Sequence, residues 1–150
     1  IYLLKANGIW RWVPERRALL FCALHDIREE SYILNSQFTL PPLELVYVTN
    51  YSRTRSLITD AVETIAPKIR SAAFSEAAIR ELRIRSTNID VGAKIQSVYL
   101  AAAAMGLSCV ARTGFSAEKL AAKLHLKPDE EVVAAQSVGY PAKSILDHIK

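Results

Sequence analysis

The sequence predicts an α+β fold: a sheet of four or five strands, mostly antiparallel or mixed, flanked by helices. Three observations lead there. The first 50 residues hold short runs rich in aliphatic, aromatic and β-branched residues, separated by turn formers. From Ser56 the apolar spacing changes to that of a helix, and helical patterning continues to Met105. After Gly106, two more strand-like runs flank one short helical pattern. The chain has 150 residues, 51% hydrophobic and 23% charged. That is enough for one domain with a real core, and it excludes a disordered chain.

The elements follow in order. "IYLLKANGIWRWV" reads as a hairpin, because two apolar runs flank Asn7-Gly8, a dipeptide suited to a two-residue turn with positive φ. "PERRALLFCALHDIREE" has both helical and extended features, with Asp26 and Arg28 expected at the surface near a bend. "LELVYVTN", residues 43–50, follows Pro41-Pro42 and has the composition of a strand. Its poor alternation suggests cover on both faces. Ile58, Ala61, Val62 and Ile65 then form a helical stripe that ends before Pro67. A weaker helix runs from about Ser75 to Ile84. Region 51–86 is the most polar, either a cover over a site or a surface helical pair.

A long helix is expected from Asn88 to Met105. Thr87 and Asp90 resemble a capping box at its start, and Asp90 lies four residues before Lys94. After Ser97 nothing is polar until Ser108 except the Tyr99 hydroxyl. A helix apolar all round is central in its fold or in an oligomer. Gly106 suits the helix C-cap. "LSCVAR", residues 107–112, reads as a strand. Ser116 caps a helix to about Leu124, with Phe115 and Leu120 at the spacing of a hydrophobic staple. "KPDE" turns, and "EVVAAQSVGYP" is the last strand.

The charge is +4 and the pI about 9.2. Arg16-Arg17 and the arginines from Arg80 to Arg85 are not dense basic runs, so no nucleic-acid partner is expected. The longest apolar run, Val98 to Met105, is too short for a bilayer, so no membrane partner is expected either. The chain opens without a methionine or a charged leader, which suggests a preceding segment and no signal peptide. Cys22 and Cys109 have no pairing or metal-binding spacing, and buried free thiols in a reducing, cytoplasmic setting are expected.

The sequence has no Walker loop, GxGxxG, GxSxG or HExxH motif. His25, His125 and His148 stand without ligand partners at metal spacing, so no metal is expected. Two weaker features remain. Arg112-Thr113-Gly114 lies between a strand and a helix start, where backbone N–H groups can face an electron-rich group. Lys143 follows the Gly139-Tyr140-Pro141 turn and could meet a phosphate as a point charge.

In order and spacing, "DVGAKIQSVYLAAAAMGLSCVARTGFSAEKLAAKLHLKPDEEVVAAQSVGYPAK" resembles the C-terminal half of the nitroreductase family of flavin enzymes. An Asp-x-Gly opens the long helix, and Gln96 follows. Next come an alanine-rich end, Gly-Leu, a strand, a Gly-Phe turn, a capped helix and a final Val-Gly-Tyr-Pro. "YLLKANGIWRWVPERRALL" and "PPLELVYVTNYSR" are similar to the family's hairpin and next strand. The short ending is similar to a compact subgroup near the thiazoline and oxazoline dehydrogenase branch.

The resemblance implies FMN as cofactor, NAD(P)H as reductant and a small-molecule oxidant such as a nitroaromatic or a quinone. It implies a homodimer through the Asn88 to Met105 helix. Mapped by motif, Thr113 and Gly114 face the flavin ring near N5, Ala111 and Arg112 line the same edge, and Lys143 meets the FMN phosphate. No residue is assigned a catalytic role. The family's Arg-x-Ser-x-Arg helix, which grips the phosphate from the other end, is not in this sequence. The alternative is a degenerate, non-catalytic dimeric member that binds flavin weakly or not at all.

Overall fold

The computed structural model describes residues 1–33, 39–53 and 75–141. The stripe from Ile58 to Ile65, Lys143 and His148 lie outside the described residues. The strands are β1 (Tyr2–Lys5), β2 (Gly8–Val13), β3 (Ala18–Ala23), β4 (Leu43–Asn50), β5 (Ser108–Arg112) and β6 (Glu130–Gly139). The helices among the described residues are α1 (Glu76–Ala104) and α2 (Ala117–Lys123), with 3-10 turns at Pro14–Arg16 and Arg28–Ser31.

Among the described residues the sheet has six strands, not four or five, in the order β3-β2-β1-β4-β6-β5. All its described pairings are antiparallel. The extra strand is β3, from the segment with mixed helical and extended features. Pairing with β2 decided it, and that information is non-local.

The hairpin forms one residue away from the expected turn. Lys5 pairs with Gly8, so Ala6 and Asn7 make the loop and Gly8 opens β2. Gly8 has φ +134, and a Cβ there would sit 2.4 Å from the Ala23 carbonyl oxygen. The glycine is needed for that close approach of β3 as well as for the positive φ.

β4 is central, between β1 and β6, and most of it is buried, which accounts for its poor alternation. On one face of the sheet Leu4, Ile9, Val46 and Val132 pack with Leu120 and Leu124 from the α2 region. On the other, Leu45, Tyr47, Ala134 and Val138 pack with Val91, Ile95 and Val98 of α1. The β4–β6 register passes from Tyr47↔Ala134 to Val48↔Val132, leaving Val133 as the extra residue. This bulge shifts the alternation of β6, so that Val132 and Ala134 face opposite cores.

α1 is one continuous helix rather than two. Ser75 caps it by accepting from the Ala78 N–H at 3.2 Å. Thr87 is buried inside the helix, and its hydroxyl donates to the carbonyls of Arg83 and Ile84. The helix ends at Gly106 as expected, and the ending is a Schellman motif with Met105 as the cap residue. Leu107 N–H donates to Ala102 O, Gly106 N–H donates to Ala103 O, and Gly106 has φ +68. Ser116 caps α2 by accepting from the Lys119 N–H.

The thiols differ from expectation. Cys22 is exposed on β3, and Cys109 is half-buried. His25 and His125 are both exposed.

Candidate functional site

The site grows from the C-terminal end of β5. There the chain leaves the sheet at Arg112, turns through Thr113 and Gly114, and enters α2 behind the Ser116 cap. Phe115 N–H donates to Thr113 O at 3.0 Å, which closes a three-residue turn around Gly114. Thr113 and Gly114 are exposed, and Phe115 packs against the core beneath α2. A Cβ built on Gly114 would meet the side chain of Ile33, with Cδ1 at 3.3 Å. The turn is therefore open apart from one aliphatic neighbour.

Arg112 is expected at the flavin edge, but its guanidinium turns inward. It forms a salt bridge with Glu44, with Nη2 to Oε2 at 3.0 Å, and that carboxylate is fully buried. Nη2 also donates to Ser31 Oγ at 3.1 Å, and Nη1 donates to Ser137 Oγ. The guanidinium carbon lies 3.9 Å from the centre of the Tyr32 ring. The Tyr32 hydroxyl donates to Glu44 Oε1 at 2.8 Å, and burial raises the pKa of this phenol. Arg112, Glu44 and Ser137 share a sheet face because Glu44 pairs with Ser137 and Ser137 pairs with Val110, two residues before Arg112. The arginine's charge is thus spent inside the fold.

Arg28 is more enclosed than the expected surface position. It pairs with Asp26 at 2.7 Å and donates to Pro41 O at 2.7 Å. The Arg28 hydrogen bond holds the Asp26 carboxyl below the usual carboxylate range.

Ala111 is also committed. Its N–H donates to the Tyr99 hydroxyl at 2.7 Å. β5 is an edge strand, and α1 reaches over it to satisfy this donor. Behind it, Tyr47 donates to Gln136 Oε1 at 2.5 Å, and Gln136 Nε2 donates to Ile95 O at 3.3 Å. Burial pushes the Tyr47 phenol up to about 12. These residues tie α1 to β5, which leads to the turn, and to its neighbour β6.

Of the five residues read as cofactor-binding, four are adjacent at this turn. Thr113 and Gly114 face outward, Ala111 uses its amide and Arg112 its side chain within the protein, and Lys143 lies outside the described residues. Glu44, Ser137, Tyr32, Ser31 and Tyr99 do not emerge from sequence motifs. One signal was present: Glu44 stands in the apolar strand "LELVYV" and Ser137 in "VVAAQSV". Charged or polar groups at such positions need buried partners.

Among the described residues, no group of three His, Cys, Asp or Glu side chains could hold a metal ion. No described helix is long and apolar enough to cross a membrane.

The fold has clear relatives among solved structures. A nitroreductase from Ralstonia eutropha JMP134, so assigned by its description, is 28% identical with a TM-score of 0.65. The match covers 95% of this chain and 58% of that one. The McbBCD microcin synthetase complex of E. coli, bound to truncated pro-MccB17, contains a chain 16% identical with a TM-score of 0.66. That match covers 95% of this chain and 51% of the other. A protein of Anabaena variabilis ATCC 29413, also described as a nitroreductase, matches at 16% identity and a TM-score of 0.62, over 26% of its length. The two matches at 16% bear on the fold alone. This chain spans well under two thirds of each of these relatives. No curated protein matches it. The profile of the Nitroreductase family matches residues 51–140, from the end of β4 through the turn to the end of β6. By that match, over more than half its length, the chain belongs to the nitroreductase family.

Proposed function

We propose that this chain serves an FMN-dependent oxidoreductase that takes electrons from NAD(P)H and passes them to a nitroaromatic, quinone or related acceptor by a ping-pong route. Nitroreductase-family proteins are generally flavin-dependent and dimeric. The observation that carries the reading is the open Thr113–Gly114 turn. It is exposed at the end of a well-packed sheet, and its glycine lets a flat ring edge come close to the backbone. The residues present fit the ring edge of FMN. Thr113 and Gly114 would hold it, and Tyr99 and Arg112 would keep that turn in place from behind.

Bound FMN would supply the electron chemistry. This chain's residues orient and enclose it. The reading includes a homodimer through the Asn88 to Met105 segment, the second half of α1 with its cap residue. Ile89, Leu100 and Met105 are 64–68% exposed in the single chain, which leaves an apolar helix surface for a partner subunit. It also includes Lys143 at the FMN phosphate and a reducing, cytoplasmic setting.

The test starts with colour. The protein as encoded in full should purify yellow or take up FMN, with absorbance near ~450 nm as flavins have. Gly114→Val should fold, because Gly114 has no positive φ and the nearest obstacle is the end of the Ile33 side chain. It should lose flavin affinity by about tenfold or more, as expected when close approach is blocked. A colourless protein that takes up no FMN would reject the enzyme and favour the non-catalytic member. Full flavin content and turnover in Gly114→Val would move the site elsewhere.

A further inference from the structure

Three consecutive residues, Ser31, Tyr32 and Ile33, run beside Arg112, Thr113 and Gly114. Ser31 Oγ accepts from Arg112, the Tyr32 ring lies under its guanidinium, and Ile33 Cδ1 lies beside Gly114. The first two are fixed from several sides. Ser31 is fully buried and donates to Arg28 O at 2.8 Å, while Tyr32 reaches both Glu44 and Ser137. Ile33 is different: it is 72% exposed. A lone exposed isoleucine needs no explanation. This one, however, follows two residues locked by a partly buried ion pair and stands against the glycine of the candidate site.

Resting on the flavin reading, we propose that Ile33 is a specificity-determining residue. It walls the space in front of Gly114 and favours flat, apolar acceptors. Arg112 is the positioning residue that sets it there. A planar quinone removes apolar surface from water against Ile33, whereas a hydrophilic anion such as ferricyanide gains nothing from that contact. In a full turnover the quinone becomes a hydroquinone. It receives two electrons and one proton that originate in NAD(P)H, and a second proton from solvent.

The test uses the full protein loaded with FMN. Wild type is compared with Ile33→Ala and Arg112→Lys. Lysine keeps the charge of Arg112 but not the planar fork that bonds Glu44 and Ser31 together. Four readouts are needed: the FMN dissociation constant, the affinity for 2-naphthol from its effect on the flavin spectrum, and KM and kcat for a lipophilic quinone and for ferricyanide. Ile33→Ala should weaken 2-naphthol binding and raise the quinone KM by about tenfold, the scale of a few lost apolar groups. Its kcat and ferricyanide KM should stay at wild-type values, and any change in FMN affinity, since Ile33 borders the same glycine as the ring edge, should be smaller than the change in 2-naphthol affinity. Arg112→Lys should move the quinone KM the same way.

Unchanged 2-naphthol affinity and quinone KM in Ile33→Ala overturn the proposal, as do equal changes for both acceptors. The exposed Ile33 can be replaced without a folding defect, so this outcome does not depend on Arg112→Lys being stable. Failure of the unaltered protein to take up FMN overturns the flavin reading and the proposal with it, a result distinct from selective failure of the Ile33 variant.

Discussion

The two edges of the sheet are built in opposite ways. At the β5 edge, α1 lies across the strand and Tyr99 takes up the Ala111 N–H. Beneath it, Arg112 is fastened to β4 and β6 through Glu44 and Ser137. At the β3 edge, Leu19, Leu20 and Phe21 are 45–47% exposed. The Trp10–Phe21 edge-to-face pair, with ring centroids 5.0 Å apart, adds to the antiparallel ladder between β3 and β2. One edge is closed with polar groups whose partners come from distant parts of the chain. The other is open, apolar and joined to the sheet by a neighbouring strand. The candidate site sits at the closed edge, where a turn can be held to a fixed geometry.

Removing the carboxylate of the clamp should have the largest effect on this contrast. Glu44→Ala leaves the Arg112 guanidinium inside the protein without its counter-charge. Breaking such a pair costs about 3–5 kcal/mol, and the residual exposure of Arg112 favours the lower end. Urea unfolding measures the loss. Glu44→Leu with Arg112→Met should recover most of that stability, because both charges are gone and the apolar pair still fills the space. If Glu44→Ala is as stable as wild type, the β5 edge is not held by this pair, and the two edges are more alike than the geometry says.

A smaller effect is expected from Tyr99→Phe. The ring remains, and only the acceptor for the Ala111 N–H disappears. A donor left unsatisfied costs about 1–3 kcal/mol. The diagnostic measurement is amide exchange at Ala111, which should accelerate while the β4 amides keep their protection. Unchanged exchange would mean that α1 covers the strand without bonding to it.

What the sequence disclosed separates along the same line. Local features were legible: the hairpin, the Gly106 terminus, the Ser116 cap with its Phe115–Leu120 staple, and β4 as a strand covered on both faces. A capping pattern misled at Thr87. Thr-x-x-Asp marks a helix start only where the preceding residues leave the helix, and Glu81, Leu82, Arg83 and Arg85 are good helix formers that carry it through. β3 was ambiguous because its pairing with β2, not its own composition, makes it a strand. The turn at Thr113–Gly114 was legible as a strand-to-helix junction. The inward direction of Arg112 was not, since Glu44 lies 68 residues away in sequence and no local pattern links the two.

The smallest expected effect tests the open edge. Leu20 lies opposite Arg11 on β2 and is 45% exposed. Leu20→Lys should change stability by no more than about 0.5 kcal/mol, as at other surface positions. It should also reduce self-association, since a lysine on an edge strand hinders pairing with another chain. Sedimentation and urea unfolding of the full protein decide it. A loss near 2 kcal/mol, the scale of a large apolar side chain fully withdrawn from water, would mean that something covers β3 in the complete molecule. The edges would then differ in when they are closed: the β5 edge by this chain's own helix and clamp, the β3 edge by a surface supplied from elsewhere. Because Leu20 takes no part in the Arg112 cluster, either result leaves the reading of the turn intact and bears on the sheet's far side alone.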